Sequence, residues 1–164
     1  PSRTAVPPGR FPKRMSTELE TVEGLVRIRV PLDPTPGAAA PADDWLWAEP
    51  LGHGRFRVES CAFFAYGVSR DDVVRADVAP GDEAPCLGDV IEKGGHRTLR
   101  VALDPDAEIA DVPVQALLGR LLDLGCTHEA LRPKLVAIDL PPEVDEIAVV
   151  QLLPSAVVAP FAET

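Results

Sequence analysis

A chain of 164 residues that is 46% hydrophobic, with a mean hydropathy of +0.05, suits one soluble globular domain or two small ones sharing a core. The first fourteen residues carry Arg3, Arg10, Lys13 and Arg14 and no acid, so the remainder has 16 − 4 = 12 basic against 26 acidic side chains, near −14. A body this acidic repels phosphate backbones, which argues against nucleic acid, and it is compatible with a basic protein partner or with plain solubility.

No run reaches the roughly 18 apolar residues of a membrane span, and no apolar stretch of a signal peptide follows the basic start. A cytoplasmic protein with no membrane contact is therefore expected. Cys61, Cys86 and Cys126 are odd in number and widely spaced, which fits neither a disulfide framework nor a zinc ribbon. Three reduced, mostly buried thiols are expected.

Residues 1–22, rich in Pro, Arg, Ser and Thr, read as a disordered lead in which Met15 could be the native start. From Leu25, Val26, Ile28 and Val30 alternate with Arg27 and Arg29, which predicts a strand with one wet face. A Pro/Ala loop follows to Asp44. A second strand starts at Trp45, with Trp45 and Trp47 on one face as expected core rings. Gly52-His53-Gly54 then predicts a tight turn into a return strand Arg55–Glu59. Cys61 to Tyr66 is a short apolar run that ends at Gly67, and Asp71 to Val78 reads as a further strand. Asp89–Glu92 is expected to pair with His96–Leu103 across Gly94-Gly95.

The period then changes. Asp111 reads as an N-cap with Pro113 in the first turn, and Val114, Leu117, Leu118, Leu121 and Leu122 form an apolar stripe that closes at Gly125. Val136, Ile138 and Leu140 predict another strand, and Pro142 opens a helix to about Leu153. The expected fold is α+β. A β-rich half over 23–95, a small curled sheet or partial barrel, precedes a ferredoxin-like βαβα half over 96–158 and a tail over 159–164.

The segments LWAEPLGHGRFRV, FFAYGVSRDDVV and GGHRTLRVAL, with the opening VRIRVPL and the later LVAIDLPP, resemble a bacterial family known as domain of unknown function 4265. The resemblance spans roughly Leu25 to Leu153 and implies a small single-domain protein without an assigned activity. It departs from the family at Asp71, where a glycine is common, and in a tail reduced to Phe161 and Glu163.

One constellation could carry chemistry. His96, Thr98 and Arg100 alternate along a strand, about 6.6 Å apart, so all three project from one face. An imidazole, a hydroxyl and a guanidinium in a row suit an anionic ligand. The competing reading is a solvated sheet face with Arg100 paired to an acid such as Asp139. Cys126 and His128 carry no mark of an activated thiol, and His53, His96 and His128 lack metal-ligand spacing. No catalytic set, metal or cofactor is expected. The expected function is a non-enzymatic protein-binding module, such as an inhibitor or immunity-type protein. The alternative is a small anionic-ligand domain or minor hydrolase using the His96/Thr98/Arg100 face.

Overall fold

The computed structural model describes residues 24–33, 41–131, 134–153 and 158–160, so the lead expected over 1–22 lies outside the described residues. Its first body is built from β1 (Val26–Pro31), β2 (Asp43–Gly52), β3 (Arg55–Val58), β4 (Val73–Asp77) and β5 (Cys86–Glu92). Neighbours pair antiparallel in chain order, and β5 returns to β1 in parallel contact at Arg29 and Cys86, which closes the barrel. Closure removes the exposed strand edges that an open sheet would have. The barrel is thus neither a curled sheet nor a partial barrel.

Strand alternation decides what fills it. Ile28, Val30, Leu46, Ala48, Val58, Val74 and Ala76 point inward with Ala62, Ala65 and Val68 of the following loop. Small aliphatic side chains suit so narrow an interior. The tryptophans do not fill it. Trp45 and Trp47 lie on the opposite parity, outside the barrel, where the Arg27 guanidinium sits 4.5 Å and 5.8 Å from their ring centroids. The predicted hairpin joins β2 to β3. Its central residues His53 and Gly54 have φ of 56° and 70°, the positive pair that a type I′ turn requires.

The second body overturns the ferredoxin-like expectation, and with it the α+β class, because the fold is mostly β. Strands β6 (Arg97–Leu103), β7 (Thr127–Leu131), β8 (Leu135–Leu140) and β9 (Val158–Pro160) form one sheet in the order β7-β8-β6-β9, and every pairing is antiparallel. The expected β-α-β-α order also lacked β7 and β9. Here β7 folds directly back on β8, and its sequence THEAL shows no apolar alternation to announce it. Nor do β5 and β6 form a hairpin across Gly94-Gly95. They belong to different sheets, and the glycines mark the passage between the two bodies.

Helices α1 (Val112–Asp123) and α2 (Glu146–Leu152) cover one face of this sheet. Pro113 opens α1. Gly125, at φ 94°, ends it in a Schellman motif, with the Gly125 amide on the Leu122 carbonyl and the Cys126 amide on that of Leu121. Helix α2 starts later than the sequence suggested, at an N-cap where the Asp145 carboxylate accepts from the Ile147 amide at 3.0 Å. Val114, Leu117, Leu118 and Leu121 pack on Val101, Leu103, Val136, Ile138 and Leu140. Each such side chain contributes about 1.5–3 kcal/mol on burial. The other face of the sheet meets the loop between β3 and β4, and the polar residues gather there.

Candidate functional site

His96, Thr98 and Arg100 do share a face, as their spacing predicts, but that face is not open. Thr98 and Arg100 are 8% and 5% exposed, and Asp139 on the neighbouring strand is 2% exposed. Register explains the grouping. Thr98 and Thr127 both stand opposite Asp139, and Arg100 and Glu129 both stand opposite Ala137, so these side chains form two polar rows across β6, β8 and β7.

Covering the rows is an irregular segment, residues 59–72, whose ends pair with Trp47 of β2 and Val58 of β3 and whose middle runs outside any strand. Buried amides and carbonyls must be satisfied, and charged side chains do it. Arg100 donates from Nε to the Ala62 carbonyl at 3.1 Å and from its terminal guanidinium to the Ala65 carbonyl. Asp44, at the start of β2, accepts from the Phe64 and Ala65 amides at 2.8 and 3.0 Å and from Trp45 at 2.9 Å. The Glu129 carboxylate accepts from the Cys61 amide at 2.9 Å. Lys93 donates to the Gly67 carbonyl at 2.6 Å and to the Asp72 carboxylate at 3.1 Å. Asp72 is fully buried and also accepts from the Ser69 and Gly94 amides, each at 2.9 Å.

Asp139 is bound to His96. Its oxygens lie 2.9 and 3.0 Å from Nδ1 of His96, whose ring donates to the carboxylate. Thr98 meets the Ser69 hydroxyl at 3.5 Å, and Arg70 reaches Thr127 at 3.4 Å. Thr98 and Arg100 of this face thus lie beneath the loop, and His96 is half-buried. One aromatic ring remains outside. Tyr66 is 59% exposed, with the Arg100 guanidinium 4.5 Å from its centroid.

Electrostatics at this joint follow from burial. Desolvation pushes the Cys61 thiol well up, with Glu129 and Asp139 adding to the effect, so the sulfur is protonated and a poor nucleophile. Burial likewise raises Glu129 to about 7. On the helix side, burial raises Cys126 and lowers His128, whose Nδ1 has no hydrogen-bond partner among the described residues. Cys126 and His128 thus belong to the helix-packed side and are not brought to the polar rows. Among the described residues no group of three His, Cys, Asp or Glu is placed to hold a metal. An open groove of about 700 Å³ lies elsewhere, along α2, lined by Arg97, Pro142, Asp145, Ile147 and Val150. Arg97 is tied there to Glu146 at 2.9 Å and to the Val144 carbonyl at 2.7 Å.

Asp71 has a local explanation. Its φ is 66°, a region natural to glycine and tolerated by Asp, and its backbone lies so close to Gly94 that a Cβ there would stand 2.5 Å from it. The segments FFAYGVSRDDVV, GGHRTLRVAL and LVAIDLPP all contribute residues to this joint, and LWAEPLGHGRFRV supplies the Trp47 amide that donates to the Ser60 hydroxyl of the loop.

Residues 44–158 match the model of a family described as Domain of unknown function (DUF4265). The chain belongs to the DUF4265 family. A crystal structure of a hypothetical protein from Neisseria gonorrhoeae is similar in fold to this DUF4265 member, with a TM-score of 0.61 and 15% identity over 77% of this chain and 82% of that one. No curated protein matches the sequence. Among the described residues of this DUF4265 chain, no helix is long and apolar enough to cross a membrane.

Proposed function

We propose that this protein works by binding a basic protein partner through the Tyr66 loop, without catalysis. The observation that supports the reading most is the engagement of Arg100. An anion site needs an accessible cation, whereas this guanidinium is buried beneath the loop, donating to the Ala62 and Ala65 carbonyls and stacking under Tyr66. The alternative, an anionic ligand or hydrolytic substrate on the His96/Thr98/Arg100 face, loses support for the same reason. The groove along α2 lies apart from those three residues.

Fixing the loop also prepares a contact. A tyrosine already held in place gives up little conformational freedom on binding, and aromatic rings of this kind dominate the energetics of protein interfaces. The excess of acidic side chains would speed the approach of a basic partner and make it salt-sensitive. An inhibitor or immunity-type protein is a specific form of this reading.

Affinity capture from source-cell lysate with wild type and Tyr66→Ala, at low and high salt, tests it. A basic protein should be retained stoichiometrically by wild type, weakened by salt, and bound about 10- to 100-fold less tightly by the variant. Capture of no protein by either bait, or specific binding of a small anion by wild type that is lost in Arg100→Lys, would overturn it.

A further inference from the structure

We propose that Glu129 is a pH-sensitive latch on the Cys61–Tyr66 loop: protonated, it holds the joint between the two bodies closed, and ionised, it lets the loop lift. The geometry comes first. Glu129 reaches from edge strand β7 into the joint and accepts the Cys61 amide at 2.9 Å, at the start of the irregular segment. Its charged and titratable neighbours come from each element packed there. The loop supplies the Cys61 thiol, 1% exposed, and Arg70. Strand β8 supplies the Asp139 carboxylate, diagonal to Glu129 on the same face, β6 supplies Arg100, and the residue just before β6 is His96, which is bound to Asp139. Arg70, the cation acting on Glu129, is shared with Glu59 at 3.9 Å and Thr127 at 3.4 Å. A second negative charge is therefore poorly compensated in this joint.

Burial accordingly raises Glu129 from 4.5 to about 7. An acid raised in the closed form binds more protons closed than open. The stability it lends the closed joint is complete below about 4.5 and is lost as pH rises through about 7. If opening fully rehydrates the carboxyl, the difference of 7 − 4.5 = 2.5 pH units sets an upper bound of about 300-fold on the rise in the opening equilibrium. The latch would thus release progressively between about 4.5 and 7 and level off above neutral pH.

Amide hydrogen exchange on the full chain tests this without a partner, so it can fail independently of the binding reading. Protection of Cys61, Phe64 and Ala65 is measured from pH 5 to 8.5 and corrected for intrinsic exchange. Wild type should lose between about 10- and 75-fold of that protection across this range. Glu129→Gln keeps the acceptor without the titration and should stay flat, while Ile28 and Leu46 in the barrel should respond alike in both proteins. A wild-type loop insensitive to pH, or an equal response in both proteins, overturns the latch. A carbon-detected titration of Glu129 in wild type gives a second reading that needs no variant. A midpoint near 7 supports the latch, and an ordinary carboxylate midpoint overturns it.

Discussion

The two faces of the second sheet are both buried, yet they are built from opposite kinds of residue. On the helix side, Leu99, Val101, Leu103, Val136, Ile138 and Leu140 meet apolar side chains from α1 and α2. On the barrel side, Thr98, Arg100, Glu129 and Asp139 meet a loop. Side chains of a helix leave no backbone groups to satisfy, so hydrocarbon suffices. An irregular segment brings unpaired amides and carbonyls, so its packing surface must carry donors and acceptors. Polar alternation along a strand therefore marks either water or buried backbone, and here it marks buried backbone.

Substitutions should separate the faces. The largest effect is expected for Asp139→Ala, which leaves the His96 ring N–H without its acceptor inside the joint. It should destabilise the fold by about 3–5 kcal/mol in urea unfolding, and Asp139→Asn by markedly less. Leu121→Ala on the helix face removes packing alone, and a loss of about 2–4 kcal/mol is expected, uniform across pH. Glu129→Gln should do the reverse of both. It should be nearly neutral at pH 5 and stabilise the protein by about 1–2 kcal/mol at pH 8, seen as a raised Tm, because the native state then no longer carries a half-buried charge. The smallest effect should come from Asp145→Ala, which removes the cap of α2 for about 1 kcal/mol. Equal pH dependence for Leu121→Ala and Glu129→Gln would erase the contrast between the faces.

The parts legible from sequence are those set by local geometry. Gly52-His53-Gly54 announces its hairpin, Pro113 and Gly125 bracket α1, and the parity of His96, Thr98 and Arg100 places them together. What that face packs against was not legible, because it depends on pairing across distant sequence. Strand β7 was hidden for the same reason. One of its faces carries Thr127 and Glu129 to the joint, so no apolar alternation remains. Asp44 and Asp72 each sit beside a second acid, and nothing local in the sequence marks them as holding a loop. Only the folded loop shows that Asp44 collects the Phe64 and Ala65 amides and Asp72 those of Ser69 and Gly94. The core expectation for the tryptophans holds for Trp47, which is buried on the outer face of the barrel wall, and not for Trp45, which is 37% exposed.

The central claim is that the polar face exists to hold the loop, and Arg100→Lys tests it most directly. Lysine keeps the charge but not the planar fork that spans the Ala62 and Ala65 carbonyls. Hydrogen exchange at pH 6 should show the amides of Phe64, Ala65 and Tyr66 exchanging at least about tenfold faster, while Ile28 and Leu46 keep their protection. Unchanged exchange in the loop would contradict the account and return Arg100 to the role of a ligand-binding cation.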